Sequence, residues 1–295
     1  MSKGVDRKDW SGFLFVLPFL LTYLVILIYP LLMGMGLSLQ RVDLFGGGTF
    51  VGLDNYARLF ADDTFIRSIL NTFALALMIV PLLTVIALAL ALALNRATKG
   101  AAVFRGIFFS SSVLSVTIVT LIWRFVLAPD AGLMGETAEA LGFAKIPFLS
   151  DPTWSLWALA ITTIWWSIGL PMMLFLAGLQ QVPGDIYEAA ALDRASRWAT
   201  FWRITLPSIR RTLILVIMLQ TAAQLQLFGQ AQLLTGGGPG GSTRTMVLFI
   251  FEAAFARWEL GYAAAAAEML FLLIVLITLT QYMTTMRGSG DERGR

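Results

Sequence analysis

The sequence predicts an all-α integral membrane protein with six transmembrane helices. Two observations carry that reading. Hydrophobic residues make up 58% of the 295, charged residues only 13%, and the mean hydropathy is +0.78, against about 25% charged residues in a soluble domain. The charges are also sorted into blocks. No Asp, Glu, Lys or Arg occurs from Phe13 to Gln40, Ser68 to Asn95, Gly106 to Trp123, Pro152 to Gly184 or Thr212 to Thr243. A sixth run, Leu260 to Met286, holds one charge, Glu268. A bilayer core takes about 20 apolar residues to cross as a helix. The runs therefore place spans at about 13–39, 68–94, 105–127, 154–179, 212–234 and 261–284, within one membrane domain.

The first run is too long for a signal-peptide core and lacks an A-x-A cleavage site, so it is read as a retained span. The chain has no Cys and no His, which excludes disulfides, thiolate nucleophiles, His general bases and metals held by those ligands. With both termini placed in the cytoplasm, fourteen of the 21 Lys and Arg residues fall in inside segments, the bias that the positive-inside rule requires. These include Lys3, Arg7 and Lys8 at one terminus and Arg287, Arg293 and Arg295 at the other. Trp10 and Trp154 stand at span edges, as interfacial aromatics do. The outside loops carry short pieces of their own: Gly46-Gly47-Gly48 followed by an amphipathic stretch from Phe50 to Tyr56, and a short helix at about Met134–Leu141 between Asp130 and Asp151.

The longest inside loop, 180–211, is organised. Pro183-Gly184 ends the fourth span, and Asp185 is placed to cap a short helix from Ile186 to about Asp193. On that helix Tyr187, Ala190 and Ala191 share one face, and Glu188 and Leu192 another. The small side chains of Ala189, Ala190 and Ala191 give a low profile suited to a partner's cleft. A second helix, Trp198 to Thr205, is expected to stop at Leu206-Pro207. Residues alone leave two readings open: a basic amphipathic pair lying on lipid, or a docking element.

A resemblance separates them. Glu188-Ala189-Ala190-Ala191-Leu192-Asp193-Arg194-Ala195-Ser196, followed by Phe201-Trp202-Arg203-Ile204-Thr205-Leu206-Pro207, resembles the EAA loop of ABC importer permeases. Leu176 to Pro183, Val51 to Tyr56, Asn71-Thr72 and Thr235-Gly236-Gly237-Gly238-Pro239 are similar to further segments of the same family. Together they resemble the MalF/UgpA-like subunits of carbohydrate importers over nearly the whole chain. The resemblance implies the type I ABC importer permease fold, in a bacterial inner membrane. It implies four kinds of partner: a second homologous permease, two ATP-binding cassette subunits, an extracytoplasmic solute-binding protein and membrane lipid, with no nucleic acid. ATP and Mg would be used by the ATPases, and this chain would bind no cofactor and catalyse nothing itself. Tyr187, Glu188, Ala189, Ala190, Asp193 and Arg194 become the ATPase-coupling residues. Arg194 departs from the family pattern, which has glycine there. The pattern also often has a proline near Ser110, and a small or apolar residue at Glu268.

Polar side chains inside the spans carry the remaining expectations. Gln220 and Gln224 lie at i, i+4 on one helix, and so do Gln226 and Gln230. Either they hold helices together by hydrogen bonds, or with Asn71 and Phe228 they line a path for sugar hydroxyls and apolar sugar faces. Glu268 is expected to snorkel or to pair with a group such as Arg257. A coupling-ion role for it would make the chain an ion-driven secondary transporter, the alternative reading. Gly236-Gly237-Gly238 lacks the spacing and the lysine of a phosphate loop. By resemblance, Gly237, Pro239 and Phe249 face the solute-binding protein, with a short helix at Met246–Ala256.

Overall fold

The computed structural model describes residues 10–42, 47–129 and 132–290. The basic residues Lys3, Arg7, Lys8, Arg293 and Arg295, together with Gly46 and Asp130, lie outside the described residues. The chain forms two compact units, one from Met1–Ala61 with Ile250–Leu270 and one from Asp62–Phe249 with Phe271–Arg295.

In the first unit, α1 (Trp10–Tyr23) runs through a π-helical turn, Leu24–Ile28, into α2 (Tyr29–Ser38). Together they form a 26-residue apolar helix from Phe13 to Ser38. Two-residue strands β1 (Gln40–Arg41) and β2 (Thr49–Phe50) pair antiparallel. The short amphipathic helix α3 (Asp54–Ala61) follows. Its buried Asn55 donates from Nδ2 to the Ser38 and Gln40 carbonyls at 2.8 and 2.9 Å, satisfying acceptors at the end of α2 that have no helical partner. Tyr56 donates to Ser38 Oγ at 2.8 Å. Arg58 joins the unit's two sequence segments: it pairs with Glu259 at 2.7 Å and lies over the Tyr262 ring at 4.3 Å. Gly261 is required there, because a Cβ would strike the Gln40 carbonyl.

The second unit is built round α4 (Asp63–Leu94), whose N-terminus Asp62 caps by accepting from Thr64 N at 2.8 Å. The buried face of α4, including Phe65, Leu75, Ile79, Leu83 and Ala87, packs against later helices of the unit. Those that pack along α4 are α5 (Lys99–Ser111), α8 (Pro152–Ser167), α9 (Gly169–Gln180) and α13 (Arg210–Leu225), and the chain also forms α6 (Val116–Leu127), α7 (Leu133–Ala140), α10 (Gly184–Leu192), α11 (Arg197–Thr200), α12 (Leu206–Ser208) and α14 (Met246–Phe251). The last helix, α15 (Leu260–Gly290), is apolar from Leu260 to Thr284 and belongs to the first unit up to Leu270 and to the second from Phe271. In the loop after α7, Lys145 pairs with Glu139 at 2.9 Å and holds that carboxyl below its ordinary pKa.

Three of the predicted spans are not straight rods. The third splits into α5 and α6 at 98°, and the fourth bends by 49° between α8 and α9. The fifth stops being helical at Gln226 and resumes before a π-turn, Ala231–Thr235. The first two breaks are laced together. Trp166 donates from Nε1 to the Leu114 carbonyl at 3.0 Å, and Ser112 Oγ donates to the Trp166 carbonyl at 3.1 Å. Gly169 makes the approach possible, since a Cβ there would lie 2.6 Å from Ser112 Oγ and 2.8 Å from Phe109 Cα. At the third break Gly229 sits against Val116, the first residue of α6. Backbone groups released from a helix in hydrocarbon need partners from neighbouring elements, and these contacts supply part of that need.

Trp166→Phe leaves the part-buried Leu114 carbonyl without its indole donor, a loss of about 0.5–1.5 kcal/mol. Thermal unfolding in detergent should show a midpoint several degrees lower, while Trp157→Phe, at a more exposed ring, should leave it unchanged.

Candidate functional site

Three neighbourhoods of the second unit hold the residues singled out in the sequence. The first is the loop after α9. Helix α10 spans Gly184–Leu192, with Pro183 at its N-cap and no side-chain cap. Asp185 lies inside the first turn and not at the cap, so its carboxylate acts on the helix dipole. Tyr187 turns inward and donates to Thr205 Oγ1 at 3.2 Å, and Ala190 is buried within the chain. Glu188, Ala189, Leu192, Asp193 and Arg194 are exposed. The six residues expected on a docking face are thus divided: Tyr187 and Ala190 hold the helix to its own subunit, and the rest face outward with Leu192, which is 85% exposed.

Arg194 occupies the left-handed region, φ 53°, the conformation for which glycine is suited. Ala195 N donates to Ala190 O at 2.9 Å and Arg194 N to Ala191 O at 3.1 Å, the paired bonds of a Schellman ending. The sharp turn therefore persists without the glycine. Ser196 then caps the next helix by accepting from Ala199 N at 3.2 Å.

That next helix corrects an expectation, because it does not stop at Leu206-Pro207. Residues 197–208 form one helical run through a π-turn, Phe201–Thr205, and the chain bends by 68° into α13. The π-turn lets Leu206 N reach back to Phe201 O. This wider spacing places Pro207, which has no N–H, in the short closing turn.

The second neighbourhood is the fifth span. Gln220 and Gln224 share a face, both are buried, and Gln224 Nε2 donates to Gln220 Oε1 at 3.4 Å. Gln224 Oε1 is buried and unbonded among the described residues. The expected pairing of Gln226 with Gln230 on one face is overturned, because the helix is broken between them. Gln226 ends α13, is exposed and donates back to Ala222 O at 3.0 Å, whereas Gln230 is buried beyond the break. Phe228 stands in the broken segment and is half-buried.

The third neighbourhood is the Gly-rich turn after the π-turn. Gly236, Gly237, Gly240 and Gly241 all have positive φ. Asn71 fixes the turn, donating from Nδ2 to the Gly241 and Arg244 carbonyls at 2.8 and 3.0 Å. Thr72 Oγ1 accepts from Met246 N at 2.9 Å, and Thr243 Oγ1 donates to Gly238 O at 2.7 Å. Asn71, expected on a sugar path, is thereby a loop-holding residue. A cavity of about 330 Å³ beside the turn is lined by Arg67, Asn71, Pro152, Pro239 and Ser242 among others. Pro239 is half-buried and reaches that cavity, but Gly237 is buried, and Phe249 is 1% exposed and packs on Phe65 with ring centroids 5.4 Å apart. Phe249 is therefore core and not a contact surface. In the other unit, Glu268 is buried with Oε1 beside Gly34 and forms no ion pair among the described residues, so the expected pairing with Arg257 is not made. The Arg257 guanidinium lies 5.5 Å from the Tyr262 ring centroid.

Sequence reading set Leu192 beside Glu188 without counting it among the docking residues, and it missed the Trp166–Leu114 tie. The run Ser110-Ser111-Ser112 inside an apolar segment, with Ser115 just beyond, was the available signal for a break.

Apolar helices, broken spans and a small acidic helix held on the chain between the fourth and fifth spans define a multi-pass transport permease. Residues 48–286 match the family described as the binding-protein-dependent transport system inner membrane component, and the chain belongs to it. It is 32% identical over 289 residues to a probable ABC transporter permease, YesP, of Bacillus subtilis, covering 96% of this chain and 93% of that protein. It is 33% identical over 279 residues to MalF, the trehalose/maltose transport system permease of Thermococcus litoralis, covering 94% of each. A crystal structure of a bacterial alginate ABC transporter, in complex with an alginate pentasaccharide-bound periplasmic protein, contains a chain of the same fold. Its TM-score is 0.83 at 23% identity, and the match covers 95% of both chains. The fold is that of a type I ABC importer permease. Membership in this family gives no support to the ion-driven alternative.

Two substitutions probe the geometry. Arg194→Gly relieves a left-handed side chain at some cost in unfolded-chain entropy, for a net gain of about 0.5–1 kcal/mol, read as a raised thermal midpoint. Asn71→Ala removes both loop contacts, and amide hydrogen exchange across residues 238–246 should accelerate while exchange in α9 stays unchanged.

Proposed function

We propose that this chain is one of two permease subunits of an ATP-driven importer for a sugar or sugar-like solute. Its partners are a second homologous permease, two ATP-binding cassette subunits that use ATP and Mg, and an extracytoplasmic solute-binding protein. The chain itself catalyses nothing. It lies in a bacterial inner membrane with both termini in the cytoplasm, which sets the loop 180–211 inside and the Gly-rich turn outside.

The observation that carries the reading is α10. Its outer face presents Glu188, Ala189, Leu192 and Asp193, and its inner face is tied to the chain through Tyr187 and Thr205. A helix fixed on one side and low and acidic on the other can seat in an ATPase groove and carry its motion inward. When ATP closes the ATPases, displacement of α10 passes through Tyr187–Thr205 to the helix of residues 197–208, and from its 68° bend to α13. Arg194 lies at the end of that docking face. Sugar hydroxyls would meet Gln220, Gln224 and Gln230 near the break in the fifth span, with Gln226 and Phe228 in the broken segment. On the outer side the solute-binding protein would meet the surface round Pro239. Relatives that carry trehalose or maltose support the substrate class.

Glu188→Lys is the direct test, because the side chain is exposed and its replacement spares the chain's own packing. The variant should insert at wild-type level but lose the co-purifying ATPase, with substrate-stimulated hydrolysis at least tenfold lower. Unchanged transport would overturn the docking role.

A further inference from the structure

We propose that the second half of the cytoplasmic loop, Arg197 to Arg211, rests on anionic phospholipid, with Trp198 and Trp202 at headgroup level. This rests on the orientation given under Proposed function. Charge is sorted along the loop. Gly184 to Asp193 carries Asp185, Glu188 and Asp193 and no base, whereas Arg197 to Arg211 carries four arginines and no acid. One loop thus offers two surfaces of opposite sign, and the acidic one is assigned to the ATPase.

Geometry brings the basic half to the membrane. The helix of residues 197–208 leaves α13 at 68°. Since α13 crosses the bilayer, its neighbour runs close to the membrane plane, at the depth where the span meets the headgroups. The apolar side of this helix is covered at one end only. Thr205 and Ile209 are buried within the chain, but Trp198 is 72% and Trp202 48% exposed. These two indoles, at i and i+4, meet edge-on with centroids 5.5 Å apart, and Phe201 closes the cluster 5.2 Å from Trp202. Amphipathic aromatic rings favour the headgroup boundary, and a helix lying there buries its apolar face about 5–10 Å deep. Arg197 and Arg203, each next to one of the tryptophans in sequence, can extend to phosphates while their stems stay on apolar surface. A lipid surface supplies in one place the negative charge and the apolar boundary that this half of the loop lacks.

The experiment uses the assembled transporter in nanodiscs of phosphatidylcholine, with and without phosphatidylglycerol. With Trp198 replaced by p-benzoylphenylalanine, illumination should give lipid adducts at position 198, enriched in phosphatidylglycerol beyond its share of the bilayer. An adduct to the ATPase or to the partner permease, or lipid adducts without that enrichment, would overturn the proposal. In the same labelled background, Arg197→Gln and Arg203→Gln should each cut the enrichment about fivefold, the ratio that corresponds to about 1 kcal/mol per charge near an anionic surface. An enrichment unmoved by both changes would also overturn it. If no ATPase associates with the chain at all, the reading of α10 fails, and the lipid adducts still report on this surface.

Discussion

A backbone amide or carbonyl in hydrocarbon has no water to turn to, and that constraint governs this molecule because several of its apolar helices are broken. The unwound residues between α5 and α6 release polar groups that a straight helix would satisfy internally. Trp166 and Ser112 take up part of them, and Gly169 allows the necessary closeness. The break in the fifth span lies against the start of α6 through Gly229 and Val116. Irregular backbone survives at membrane depth only when it is held by protein or lines a cavity, and here bends in neighbouring helices hold one another.

The same economy appears at the two ends of the second unit. At the Gly-rich turn, glycines supply left-handed backbone, and Asn71 and Thr72 on α4 supply the bonds that keep it in one shape. A rigid turn can serve as a recognition surface because little ordering entropy is lost on contact. At the loop of residues 180–211, a Schellman ending at Arg194 and a Ser196 cap force two short helices into a fixed corner. One helix is acidic and the other basic.

The glutamines show why residue type and position have to be separated. Gln220 and Gln224 hydrogen-bond each other along a single helix, which ties α13 to no neighbour, and Gln224 keeps a buried oxygen without a partner among the described residues. Gln226 and Gln230, alike in sequence, are divided by a backbone break into an exposed helix end and a buried residue beyond it.

Composition and the sorting of charge determined the membrane class and, through the Glu188-to-Pro207 pattern, the family. These were legible because burial in lipid is a property of whole segments, and a family motif lies in consecutive residues. Helix bounds within single segments were legible for the same reason, as at α7 and α10. The tertiary structure alone decided that Phe249 is core, that Asn71 holds a loop, that Tyr187 and Ala190 face inward, and that three spans bend. Each of these depends on residues distant in sequence: Phe65 for Phe249, Gly241 and Arg244 for Asn71, Thr205 for Tyr187, and Trp166 for the break at Leu114. Periodicity describes a helix one turn at a time, and it carries no information about which neighbour will accept a hydrogen bond when that helix is interrupted.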